Sequence, residues 1–189
     1  MIYKEDKGTQ FGKWNDKTSK FLYVDSIKDI LEIIKVEGTV GDYGGANGNL
    51  KQFLPQSISI DIDETKNPDI VDNILTHNKR YDWVIIRYVL HYLTDTEVIE
   101  LFNNIQSTNV MVIQFTNEDL KTKYLNSKNE TKYFRTKTQL ESLLPKGASN
   151  FYRKLFNCTK EFYRNRLGFD DAIEHIESIN AYYIKLKNK

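Results

Sequence analysis

Residues 39–50 read TVGDYGGANGNL, and this stretch decides how the rest of the chain is read. An acid, Asp42, closes a short apolar run. Three glycines then fall within five residues, Gly44, Gly45 and Gly48, in a chain of 189 residues that holds only 9. Glycine is costly to order, so such a cluster marks a place where the backbone takes a conformation that a side chain forbids, or where something approaches it closely. The reading is a strand that ends at Asp42 and turns sharply on the glycines.

The flanking sequence supplies matching elements. Ahead of it, DSIKDILEIIK spaces Ile27, Ile30, Leu31 and Ile34 as one face of a helix, with Asp25 or Ser26 as its cap and Gly38 ending it. Behind it, NGNLKQFL can begin a helix with Asn47 as cap. SISIDID alternates through Ile58, Ile60 and Ile62 as a strand, and PDIVD gives a shorter one. YDWVIIRYV and NVMVIQF are continuous apolar runs, as in strands buried on both faces. DTEVIELFNNI is a helix capped by Thr94 or Asp95, with Glu97 nearby, and TKTQLESLL is a helix stopped by Pro145. NFYRKLF and NAYYIKLK read as late strands. Strands and helices alternate from about residue 25 to 115, which implies an α/β protein with a doubly wound, mostly parallel sheet and helices on both faces. Such sheets bind ligands at the carboxyl ends of their strands.

Bulk properties set the outer limits. The chain has a length suited to one domain with a substantial core, taken as residues 1–189. Apolar residues make up 40% and charged residues 28%, and no apolar run is long enough to span a bilayer. The N-terminus has no apolar leader, and the cytoplasm is the expected compartment. Lone Cys158 excludes an internal disulfide and a cysteine metal cluster. The net charge of +1 is unevenly spread: residues 1–120 hold 12 Lys and Arg against 19 Asp and Glu, whereas residues 121–166 hold 12 against 3.

The glycine stretch lacks the Gly-Lys-Ser/Thr ending of a P-loop, and its spacing misses the G-x-G-x-x-G dinucleotide fingerprint. What remains is D-x-G-G-x-x-G, with Asp61 19 residues after Asp42. With these features, VGDYGGANG, ISIDIDE, DIVDNI and YDWVIIRYVLHYLTD together resemble, in order, the first four motifs of the class I S-adenosylmethionine-dependent methyltransferases. The resemblance covers about residues 35–117. It implies a seven-stranded Rossmann-like sheet with an antiparallel last strand, and S-adenosyl-L-methionine as cofactor. It also implies roles. Gly44, Gly45 and Gly48 would let the backbone approach the methionine and ribose. Asp42 would orient the amino-acid end. Asp61 would accept both ribose hydroxyls, with Asp63 as the alternative, and Ile62 would lie against the adenine. Asp72 would accept from the adenine amino group, the Asn73 amide would meet a ring nitrogen, and Arg87 would stand beside the methionine.

The acceptor is less legible. His91, after the fourth strand, is the candidate general base, because imidazole titrates near neutrality; packing at a helix start is the plainer alternative. Tyr88 is a further candidate, and Tyr88 and Tyr92 are equally readable as walls. His77 has no supporting context. The fourth strand lacks an Asn-Pro-Pro-Tyr/Phe signature and an acidic pair suited to a bridging metal, so no metal is expected. Residues 1–24, with Phe11, Trp14, Phe21 and Tyr23, would close over the cofactor core of residues 25–117. In the substrate-side region, residues 118–189, EFYRNRLG sets Arg164 and Arg166 around Tyr163. These and Trp14 fit an anionic small molecule or peptide held by an arginine fork. Basic and aromatic residues interleaved also fit RNA, the alternative substrate. A non-catalytic protein that has kept the fold is the third reading. A homodimer would complete a site that so small a chain covers poorly.

Overall fold

The computed structural model describes residues 24–116, 124–125, 131–133, 135–155 and 178–187. Its centre is a seven-stranded sheet in the order β3-β2-β1-β4-β5-β9-β8. The strands are β1 (Val40–Tyr43), β2 (Ser57–Asp61), β3 (Ile70–Val71), β4 (Trp83–Arg87), β5 (Asn109–Thr116), β8 (Ser149–Leu155) and β9 (Ser178–Lys185). A two-stranded ribbon pairs β6 (Tyr124–Leu125) with β7 (Thr131–Lys132). Strands β1 to β5 pair in parallel, and β9 runs antiparallel to both β5 and β8. This is the expected topology, down to the reversed last strand.

The sheet carries an apolar layer on each face. One buries Ile27 and Ile30 of helix α1 (Val24–Ile33) against Val40, Ile85, Met111 and Ile113. The other buries Val98, Leu101 and Phe102 of α2 (Asp95–Asn104) and Leu140 of α3 (Lys137–Leu143) against Val84, Ile86, Val112 and Tyr182. Each fully buried aliphatic side chain contributes about 1.5–3 kcal/mol. The apolar runs of β4 and β5 are explained by this double coverage. Helix α2 starts on a complete capping box, with Thr94 Oγ1 accepting from the Glu97 amide and Glu97 Oε2 accepting from the Thr94 amide.

Three sequence expectations need correction. Helix α1 already includes Val24, so Asp25 and Ser26 lie inside it. Gly38 does not end that helix. It sits five residues beyond Ile33 with φ +83°, where an added Cβ would run into the Asp82 carboxyl, and it turns the chain into β1. The helix expected from NGNLKQFL is a single 3-10 turn, Asn49–Gln52, preceded not by an Asn47 cap but by Gly48 in the left-handed region. Pro55 explains the short length: Leu54, just before it, is disfavoured in helical backbone, and Pro55 has no N–H to give. The connections between β1, β2 and β3 hold 3-10 turns where the usual doubly wound fold places longer helices.

Register places the candidate residues together. Asp42 pairs with Ile85, and Tyr43 pairs with both Ile60 and Ile86. Gly44, Asp61 and Arg87 each follow that rung by one residue. They therefore meet at the carboxyl edge, where the strand order reverses between β1 and β4.

Candidate functional site

The glycine turn is built tightly on its own chain. Gly44 has φ +72°, and an added Cβ would strike Val89 of the β4–α2 connection. At Gly45 an added Cβ would come within 2.6 Å of Asp42 Oδ2. Both glycines are thus required by the turn itself. The turn also uses its own N–H groups: those of Gly44 and Gly45 donate to Ile60 O, that of Gly48 to Gly45 O, and that of Ala46 to Asp61 Oδ2. A phosphate cradle needs such groups turned outward, so this turn is not one.

Asp61 joins two elements. Its Oδ2 accepts from the Ala46 amide at 3.0 Å and its Oδ1 from the Asp63 amide at 2.9 Å. Burial pushes the Asp61 carboxyl above its ordinary value, although both backbone amides pull the other way. Asp63 is committed elsewhere, accepting from the amide and hydroxyl of Thr65 to cap the next 3-10 turn. Ile62 lies just past β2 and is half-buried.

Arg87 and Asp42 form a bidentate pair. Arg87 Nη2 donates to Asp42 Oδ2 at 2.7 Å and Nε to Oδ1 at 3.2 Å. Asp42 pairs with Ile85 across the ladder, and Arg87, two residues further along β4, projects from the same face, so the contact is a cross-strand diagonal. Asp42 is only 1% exposed, so its carboxylate is held by Arg87 and buried away from the surface.

The segment after β4 has unusual backbone. Tyr88 takes φ +56°, a strained value for an aromatic residue, beside the candidate site. Its side chain turns into the core, stacked on Phe115 at 6.0 Å, and burial raises its hydroxyl well above the ordinary range. That placement argues against the catalytic role expected for it. His91 lies in the 3-10 turn Leu90–Tyr92 and is 3% exposed, with its ring 4.0 Å from that of Tyr92 and 4.7 Å from that of Phe115. Its Nδ1 is 3.4 Å from Gln114 Nε2 at the end of β5. Tyr92 is buried beside it. These contacts favour the packing alternative for His91.

Two residues without a sequence signal organise the site. Arg135 is buried; it donates to the carbonyls of Leu90, Leu93 and Tyr133 and pairs with Asp95, and so fixes the turn that carries His91. His77 is also buried, with Nδ1 2.7 Å from Asp72 Oδ2. The Asn73 amide donates to Asp72 Oδ1 at 2.7 Å, rather than pointing outward as expected. Asp72 nevertheless leaves 42% of its side chain exposed at the strand edge. Trp14, Tyr163, Arg164 and Arg166 lie outside the described residues. A cleft of about 420 Å³ opens at the opposite end of the sheet, between Arg80, Phe102, Thr108 and Leu186, away from all of these groups.

No family model matches the sequence, and no curated protein matches it. Solved structures do match in fold. One is the 1,6-didemethyltoxoflavin-N1-methyltransferase of Burkholderia thailandensis, with bound 1,6-didemethyltoxoflavin and S-adenosylhomocysteine. It is 12% identical over 92% of this chain and 81% of its own, with a TM-score of 0.63. The glycopeptide N-methyltransferase MtfA is 9% identical over 85% and 95%, with a TM-score of 0.58. A Leishmania major S-adenosylmethionine-dependent methyltransferase is 10% identical over 85% and 70%, again with a TM-score of 0.58. The chain has the Rossmann-like fold of the class I S-adenosylmethionine-dependent methyltransferases.

Proposed function

We propose that the chain is an S-adenosylmethionine-dependent methyltransferase acting on an oxygen or nitrogen of a small polar or anionic metabolite or peptide. The observation that carries this reading is the Asp61 carboxylate. It stands at the carboxyl end of β2, anchored through one oxygen to the glycine turn and through the other to the Asp63 amide. An ionised carboxylate offers about four acceptor positions. Two are in use, and the remaining one on each oxygen matches the two adjacent hydroxyls of a ribose. The glycine turn keeps its own N–H groups, which fits a nucleoside cofactor without a diphosphate. Gly44, Gly45 and Gly48 bring the backbone close, Ile62 would lie against the adenine, and Asp72 would accept from its amino group. The Asn73 amide reaches the ring only by exchanging its bond to Asp72. Arg87, with its charge balanced by Asp42, would hold the carboxylate of the methionine end.

Bound there, the cofactor supplies a methyl group on a positively charged sulfur that is already a good leaving group. What the chain adds is alignment of nucleophile and methyl carbon, which can account for several kcal/mol of barrier, about 7–11 in the best intramolecular cases. Proton removal by His91 is a smaller contribution in this proposal, because its ring is enclosed by Tyr92 and Phe115. The compared methyltransferases act on 1,6-didemethyltoxoflavin and on a glycopeptide, which supports a small-molecule or peptide acceptor. The test is incubation with methyl-labelled S-adenosylmethionine and, separately, polar metabolites, peptides and tRNA. Label in either of the first two pools is the predicted result. Label in tRNA alone would move the assignment to RNA, and transfer to none of them would count against a methyltransferase.

A further inference from the structure

We propose that His77 is a positioning residue that aims Asp72 at the 6-amino group of the cofactor's adenine and thereby sets base specificity. This rests on the methyltransferase reading. The His77 ring sits between two tyrosines, edge-on to Tyr43 at 5.6 Å and 87° and stacked on Tyr81 at 5.9 Å and 19°. It is 5% exposed, and its two nitrogens face different partners: Nδ1 lies 2.7 Å from Asp72 Oδ2 and Nε2 3.2 Å from Tyr81 Oη. The partner chemistry assigns the protons. An ionised carboxylate only accepts, so Nδ1 carries a hydrogen and donates to Asp72, while Nε2 meets the Tyr81 hydroxyl, a group able to donate to it or accept from it. Burial raises the Tyr81 hydroxyl above its ordinary value, which keeps it protonated beside the ring.

The result is a carboxylate gripped at both oxygens, by the Asn73 amide at Oδ1 and by His77 at Oδ2. The Asp72 backbone is fixed as well, because its amide donates to Asp61 O at 3.0 Å. The ribose acceptor and the adenine acceptor are thus joined through one backbone bond, and His77 sets the angle of the second. One acceptor position per oxygen is left toward solvent, where an exocyclic amine can donate. A hydrogen bond to a charged acceptor is strong enough to discriminate by about tenfold or more when the donor is missing.

The test is equilibrium binding of S-adenosylhomocysteine, and of its purine analogue lacking the 6-amino group, to the full chain and two variants. His77→Phe keeps the ring packing and loses the donor. His77→Asn loses the ring and keeps an N–H close to where Nδ1 lies. The wild type is expected to prefer the amino-bearing ligand by about tenfold. His77→Phe should lose most of that preference through weaker S-adenosylhomocysteine binding, with the analogue changed less than about twofold, and His77→Asn should keep most of it. A purely structural His77 gives the reverse order, or weakens both ligands alike, and either result overturns the proposal. Should His77→Phe fail to fold, retention or loss of the preference in His77→Asn decides alone. Binding of neither ligand by the wild type overturns the cofactor reading itself, a result distinct from a failure of His77 alone.

Discussion

At the residue scale, the two acids that the motifs single out behave differently, and the reason is burial. Asp42 is sealed beneath Arg87, so its charge serves the fold before it serves a ligand. Removing the arginine leaves a buried carboxylate without its counter-charge. Arg87→Met should therefore cost about 3–5 kcal/mol in denaturant unfolding. Asp42→Asn combined with Arg87→Met should recover part of that loss, because no uncompensated charge remains. Asp61 instead keeps acceptor capacity, and its raised pKa has a signed consequence. The folded chain holds this proton more readily than the unfolded chain does. Asp61 thus favours folding at low pH and gives up that contribution as pH rises through its folded pKa. In the proposed complex the ribose hydroxyls would donate to the charged form, so binding would displace the proton wherever Asp61 still carries one. Affinity for S-adenosylhomocysteine should fall on acidification, beginning above the ordinary aspartate range of about pH 4, and titration of Asp61→Asn should lack that upper portion.

At the element scale, the least regular segment matters most for the proposed chemistry. The connection after β4 combines a left-handed Tyr88, a 3-10 turn and the capped start of α2. Arg135 ties these together by donating to the carbonyls of Leu90 and Leu93 and pairing with Asp95. Arg135→Met would leave the Leu93 carbonyl without this donor, at about 1–3 kcal/mol, and would strip the Leu90 carbonyl of its charged donor while leaving it the Leu93 amide. The expected outcome is lower stability in urea, with S-adenosylhomocysteine affinity nearly unchanged, because the proposed cofactor groups lie on or just after β1, β2 and β3 and at Arg87 of β4, ahead of the turn that Arg135 holds. Equal loss of both would show that the turn also shapes the cofactor side. The role of Arg135 was not legible in the sequence, because it acts through the carbonyls of Leu90 and Leu93, more than 40 residues away, and a lone arginine carries no periodic signal. The α2 cap was legible, since Thr94 and Glu97 act locally. The short turn after Gly48 was misread as a helix because the pattern of NLKQFL outweighed Pro55 just beyond it.

At the scale of the whole molecule, the mostly parallel, doubly wound sheet followed from the alternation of apolar runs with helices, and its reversed last strand from the resemblance of the motifs to the methyltransferase family. The glycine cluster was read correctly as a strand-to-turn junction, but its immediate cause is internal: Val89 and Asp42 fill the space that side chains would need. The Asp72–His77 contact was invisible because the connecting turn, which brings them together, has no regular spacing. The site's parts therefore come from β1, β2, β3 and β4, and only the sheet register assembles them. The central claim is that this assembly binds S-adenosylmethionine through Asp61. Calorimetric titration of the wild type and Asp61→Ala with S-adenosylmethionine and S-adenosylhomocysteine tests it most directly. The account predicts micromolar binding of both ligands by the wild type, and its loss in a variant that still unfolds cooperatively. Absence of binding by the wild type, or undiminished binding by Asp61→Ala, would contradict it.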